Sequence, residues 1–88
     1  MIGMSSITQT DPPHSLPYDA LVQVEGEIAF TFEICAGNNI EELVDDVVSR
    51  YEKYKNRMPR LAQARKKING EWVDIIEDVK SGLIRKVG

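Results

Sequence analysis

The sequence predicts a small α+β domain in which one helix packs on a four- or five-stranded, mostly antiparallel sheet. Three observations lead to this prediction. Apolar residues alternate with polar ones before residue 37, they recur at helical spacing between residues 40 and 54, and an Asn-Gly pair marks a later turn. The 88 residues suit one domain. We expect residues 1–17, which mix Ser, Thr and Pro, to form a flexible N-terminal tail and residues 18–88 to form the domain.

The first predicted element pair is a β-hairpin. Along residues 27–36 the large apolar side chains alternate with small or polar ones, which is the pattern of a strand with one buried face. These large side chains are Ile28, Phe30, Phe32 and Ile34. Residues 20–24 alternate in the same way, and Glu25-Gly26 between the two runs predicts a tight turn. Cys35 then falls on the more polar face of its strand, where we interpret it as a small packed side chain.

The second predicted element is an amphipathic helix. Its apolar residues recur at three- and four-residue spacing and form one stripe: Ile40, Leu43, Val44, Val47, Tyr51 and Tyr54. Asn38 or Asn39 is a natural N-cap, and Pro59 predicts that the helix ends by Arg57 or Met58. Acidic residues in the first turn and lysines in the last turn match the helix dipole.

The region after the helix allows two interpretations. Residues 59–68 are compatible with a short helix that has proline at its first position. Alternatively, Asn69-Gly70, flanked by Ile68 and Trp72, predicts a two-residue hairpin turn between two strands. We favour the hairpin, and we place Trp72 in the core because a large aromatic side chain is usually buried.

The C-terminal segment is ambiguous as well. Leu83–Val87 is compatible with a strand or a helix, and we favour a strand because Ser81-Gly82 is interpreted as the turn before it. The resulting element order across residues 19–77, ββαββ, resembles that of ubiquitin-type β-grasp domains. The resemblance lies in the order of the elements alone, and no residue motif accompanies it.

Charge is distributed unevenly along the chain, whose formal net charge is −3. Residues 1–49 contain nine acidic and no basic residues, residues 50–67 contain eight basic residues and one acid, and residues 68–88 contain four acids and three bases. Helix-dipole complementarity explains part of this layout. The basic patch that follows the predicted helix supplies the candidate partner-binding residues: Arg57, Arg60, Arg65, Lys66 and Lys67.

The sequence contains none of the residue groupings that catalysis requires. Its one histidine, His14, lies in the predicted tail, so no base stands near a Ser, Thr or Cys nucleophile. No glycine-rich phosphate loop is present, and the acidic cluster at residues 41–46 is typical of a solvated first helical turn. We therefore expect a protein that is not an enzyme, with no cofactor, no catalytic residues and no metal site.

Binding to another protein is the predicted activity, in an accessory or regulatory role with charge-steered recognition through the basic patch. A homodimer formed through an exposed edge strand belongs to the same hypothesis. The alternative is nucleic-acid binding through residues 57–67, which the acidic balance of the whole chain disfavours; a small enzyme is a distant third. One cysteine and no apolar run near the ~20 residues that span a bilayer predict a cytoplasmic protein without membrane attachment.

Overall fold

The computed structural model describes residues 14–87, so residues 1–13 of the predicted tail and Gly88 lie outside the described residues. The strands are β1 (Tyr18–Glu25), β2 (Phe30–Gly37), β3 (Arg60–Ile68) and β4 (Glu71–Asp74), and the helices are α1 (Ile40–Lys53) and α2 (Ile76–Val87). The predicted α+β class is confirmed. The described part of the predicted tail, residues 14–17, lies against the sheet, where the Pro17 carbonyl accepts a hydrogen bond from the Lys67 N–H.

The four strands form one open antiparallel sheet in the order β2-β1-β3-β4. Both helices pack on one face of this sheet, and the core lies between the two layers. The core residues are Ala20, Val22, Val24, Cys35, Leu43, Val44, Val47, Ala64, Ile75, Val79 and Leu83. Within residues 14–87 no helix lies on the opposite face, which we call the open face.

The buried face of β2 is the opposite of the predicted one. Cys35, predicted on the polar face, is fully buried in the core, whereas Phe30, Phe32 and Ile34 lie on the open face with 59%, 39% and 38% of their surface exposed. The reason is the pairing register: Cys35 stands opposite Ala20, which faces the helices, and side chains alternate strictly along a strand. The alternation therefore predicted the strand correctly and the buried side wrongly.

The connection between β1 and β2 is longer than the predicted turn. Glu25 pairs with Phe30, so the loop is residues 26–29, closed by a 3.0 Å hydrogen bond from the Gly26 N–H to the Ala29 carbonyl. A Cβ atom at residue 26 would overlap that same carbonyl oxygen, so the loop needs glycine there. The exposed Ile28 lies at the tip of this loop.

Helix α1 begins as predicted, with Asn39 as the N-cap. The Asn39 side chain accepts a 2.9 Å hydrogen bond from the Glu42 N–H, and Asn38 donates to the Glu42 carboxylate, which lowers the pKa of that carboxyl group. The helix ends at Lys53, and a 3-10 turn over Lys55–Arg57 leads to β3. The predicted apolar stripe is confirmed, since its members are core residues or pack against the core.

The predicted second hairpin is confirmed. Strands β3 and β4 are joined by Asn69 and Gly70, whose φ angles are 51° and 83°. A two-residue turn with positive φ at both central residues matches the twist of the flanking strands, and Asn and Gly adopt such angles at low cost. Local turn chemistry therefore decided between strand and helix for residues 60–68.

The predicted strand at Leu83–Val87 is wrong, because this segment is the end of helix α2. The buried side chains of Ile75, Val79 and Leu83 recur at four-residue spacing and face the core. Gly82 is not a turn residue. It lies in the helix where a Cβ atom would come within 2.8 Å of a Val44 methyl group, so its missing side chain lets the two helices approach closely.

We expect Gly82→Ala to destabilise the protein, even though alanine favours a helix over glycine by about 1 kcal/mol. The added methyl group must displace the buried Val44 side chain, and such overpacking typically costs about 1–3 kcal/mol. Urea unfolding followed by circular dichroism measures the difference. The matched control is the exposed neighbour Ser81→Ala, which should stay within about 0.5 kcal/mol of the wild type. A Gly82→Ala protein as stable as Ser81→Ala would contradict the close packing.

Candidate interaction surface

The five basic residues that were predicted to bind a partner do not all lie on one surface of the protein. Arg65 and Lys67 alternate on β3 and lie on the open face, and a register shift between Leu21 and Val22 brings Arg60 to the same face. Lys66 lies on the helix side of the sheet, with its ammonium 6.0 Å from the Tyr18 ring, and Arg57 is exposed in the 3-10 turn. Three of the five candidates therefore share one face, and their role in partner binding stays a prediction.

The Arg65 side chain is bound to other side chains of the domain. It is only 6% exposed, and it makes a two-pronged ion pair with the fully buried Asp19, with distances of 2.7 Å from Nε to Oδ1 and 3.1 Å from Nη2 to Oδ2. Its guanidinium carbon lies 4.0 Å from the centre of the Trp72 ring. The His14 Nε2 atom is 3.2 Å from Asp19 Oδ2. The charge of Arg65 is thus largely neutralised within the sheet.

The same contacts explain the position of Trp72. This side chain was predicted in the core, but it is half-buried on the open face, opposite Lys67 in the β3–β4 pairing. Arg65 covers its ring, and the Lys67 ammonium lies 5.4 Å from the ring centre. Cations over an indole face are held by cation–π attraction, so Trp72 serves as a platform for two basic side chains.

The open face carries an apolar stripe, most of whose members were predicted to lie on the buried face of β2. The stripe consists of Phe30, Phe32 and Ile34 on β2 together with Leu21 of β1, which stands directly opposite Ile34. The sequence of β1 does indicate which face is buried. Ala20, Val22 and Val24 form the longer apolar series of that strand, and they lie on the Cys35 side of the sheet.

Two exposed basic side chains share the open face with the apolar stripe, and one of them, Arg60, lies in a row with it. Phe32, Gln23 and Arg60 form one cross-strand row, so the Phe32 and Arg60 backbones are about 10 Å apart at the usual strand spacing. Arg60 and Lys67 are exposed on this face, and the acidic side chains Glu25 and Asp74 share it. The open face is therefore apolar along β2 and mixed in charge along β3 and β4.

The free edge of β2 is partly occupied by helix α1. The Asp46 carboxylate accepts a 3.0 Å hydrogen bond from the Ala36 N–H, and the Arg50 guanidinium donates to the Ile34 carbonyl at 3.3 Å. Asp46 and Arg50 also form an i,i+4 ion pair, at 3.2 Å. These contacts show that even-numbered residues of β2 direct their backbone groups outwards. The outward groups of Phe30 and Phe32 have no hydrogen-bond partner among residues 14–87.

Cys35 lies under this edge in the core. Burial, together with the nearby Asp46 carboxylate, raises the pKa of its thiol to about 12. The sulfur is therefore protonated near neutral pH, and a nucleophilic thiolate is disfavoured. In the part of the chain that the structure describes, no three His, Cys, Asp or Glu side chains are grouped to hold a metal ion. No helix there is long and apolar enough to span a membrane.

We expect Arg65→Met to lower the free energy of unfolding by about 3–5 kcal/mol, because it leaves the Asp19 carboxylate buried without its partner. The control is Lys67→Met, an exposed substitution on the same strand and face, which should change stability by about 0.5 kcal/mol or less. Thermal and urea unfolding measure both. Similar effects for the two variants would mean that the ion pair contributes nothing beyond surface charge.

We also expect the stability of the protein to fall as the pH rises from about 9 towards 12. The unfolded chain releases the Cys35 proton near the ordinary pKa of 9.0, whereas the folded chain holds it until about pH 12, so the unfolded state binds fewer protons in this window. The stabilisation from the buried neutral thiol is complete below pH 9 and is lost progressively as the pH rises from 9 towards about 12. Cys35→Ala should show a flatter dependence in urea unfolding at pH 8, 9 and 10. Parallel curves for the two proteins would refute this origin.

The candidate surface thus consists of the apolar stripe, the exposed cations Arg60 and Lys67, and the free edge at Phe30 and Phe32. No protein-family model matches the chain, and no curated protein or solved structure is detectably similar to it. Function is therefore inferred from this surface.

Proposed function

We propose that the protein is a non-enzymatic protein-binding module, with an accessory or regulatory role, that takes an apolar and acidic segment of its partner on the open face. One observation carries this proposal. Phe30, Phe32 and Ile34 lie on one face of β2 with 59%, 39% and 38% of their surface exposed, while Cys35 on the other face is in the core. Contiguous apolar patches on a soluble domain commonly mark interaction sites, because burying them in a complex removes them from water.

The charges beside the stripe favour an acidic partner. Arg60 stands in the same cross-strand row as Phe32, whereas Lys67 lies on the same face near the other end of β3, opposite Trp72. Exposed cations at the rim of an apolar contact steer an acidic partner and orient it, while the apolar centre supplies most of the affinity. Two residues of the basic patch are left out of this proposal, since Arg65 is engaged with Asp19 and Lys66 extends towards the Tyr18 ring.

Nucleic-acid binding remains the second candidate, because Phe30 and Phe32 offer exposed aromatic rings on which bases stack. Phosphate binding needs several cations on one surface. Within residues 14–87 the exposed cations of the open face are two, Arg60 and Lys67, and Glu25 and Asp74 lie on the same face. The aliphatic Ile34 in the stripe also suits a protein side chain better than a base. We therefore favour a protein partner.

Selection of displayed random peptides on the immobilised full-length protein tests the proposal. We expect the enriched peptides to combine large apolar residues with Asp or Glu. Phe32→Ser should weaken a selected peptide by about 30-fold, the loss of roughly 2 kcal/mol typical of a central contact. Arg60→Ala should have a smaller effect, which salt reduces further. Fluorescence anisotropy measures each affinity.

The matched control is Arg85→Ala, which removes an exposed cation from α2, on the other side of the molecule. It should leave the affinity unchanged. Equal affinity for the wild type and Phe32→Ser would overturn the proposal. So would tight binding of a single-stranded oligonucleotide that weakens steeply between low and moderate salt and on Arg60→Ala, because this is the behaviour of a nucleic-acid site.

A further inference from the structure

We propose that a second copy of this chain pairs with the free edge of β2. The two β2 strands would run antiparallel about a two-fold axis at Thr31 and join the two four-stranded sheets into one continuous sheet. This inference goes beyond the proposed function, because it rests on backbone groups at the sheet edge and names a second copy of this chain, with the side chains of the open face adding to the contact.

The direction of the backbone groups along β2 sets where a second strand can bind. In an antiparallel strand, alternate residues direct both their N–H and their C=O to the same side. Ile34 and Ala36 direct these groups away from β1, as their hydrogen bonds to Arg50 and Asp46 show. Phe30 and Phe32 lie four and two residues before Ile34, so their N–H and C=O groups also point away from β1 and are available for a partner strand.

These available groups are self-complementary about Thr31. When Phe30 of one copy stands opposite Phe32 of the other, each pair exchanges both of its backbone hydrogen bonds, and the two-fold axis generates the second, identical pair. A register moved towards Ile34 would compete with the Arg50 guanidinium for the Ile34 carbonyl. A shift by one residue would reverse the faces of the apolar side chains. The Arg50 side chain of α1 therefore disfavours the registers that are moved towards Ile34.

The side chains agree with the same register. On the open face, Phe30 of one copy would meet Phe32 of the other, so the two apolar stripes would adjoin. The only charged residue of β2 is Glu33, on the helix side of the sheet and 3.6 Å from the Arg50 guanidinium. It stands opposite Ala29 of the second copy, so no like charges meet across the pair. This self-complementarity is the reason for choosing a second copy as the occupant.

A cysteine at the proposed axis tests the inference in the full chain. Thr31 would face Thr31 of the second copy as a non-hydrogen-bonded pair, with Cα atoms about 4.5 Å apart, a separation that a disulfide accepts. We expect Thr31→Cys to form a covalent dimer under mild oxidation. The native Cys35 is buried and does not compete. Non-reducing electrophoresis measures the crosslinked fraction, with Ser81→Cys on the exposed face of α2 as the control.

A second variant separates edge pairing from random collision. Phe30→Pro removes an outward N–H group at the start of an edge strand, where proline is tolerated because that N–H does not bond to β1. We expect the wild type to sediment as a dimer and Phe30→Pro to sediment as a folded monomer. A wild type that stays monomeric at high concentration, or Thr31→Cys that crosslinks no more than Ser81→Cys, overturns the inference. If the wild type stays monomeric but still binds the selected peptides, the proposed function stands without the dimer.

Discussion

The packing of β1 against the two helices is the constraint on which the rest of the structure depends. Its side chains Ala20, Val22 and Val24 are almost fully buried, and β1 is hydrogen-bonded to a strand on each side. Because cross-strand neighbours project to the same side, this burial decides which face of β2 and β3 enters the core. It takes Cys35 inwards and leaves Phe32 outside. The packing of the core thus decides which side chains form the candidate interaction surface.

The opposite face of β1 organises the basic segment. Asp19 is buried there and holds Arg65, which in turn covers Trp72. A buried carboxylate needs a close cation, and removing that cation is costly. The basic residues that adjoin each other in sequence therefore divide into a buried structural member, Arg65, and exposed members such as Arg60 and Lys67 that remain available to a partner.

The two kinds of recognition that we propose use neighbouring parts of β2, its open face and its free edge. The apolar stripe offers side chains for a partner segment, while Phe30 and Phe32 offer backbone groups for strand pairing. Asp46 and Arg50 occupy the rest of the edge and so limit where a strand can add. Natural sheets commonly protect exposed edges in such ways, because an unprotected edge invites uncontrolled aggregation.

The sequence by itself determined those elements whose signals are local. The alternation before residue 37, the Asn39 cap and the Asn69-Gly70 turn each specify backbone conformation through neighbours in the chain, and all three are confirmed. Only the tertiary structure decided the buried face of β2, because both faces alternate equally well and the choice lies in the register with β1. It also decided the helix at Gly82, since the contact with Val44 that makes glycine useful there comes from residues far away in the sequence.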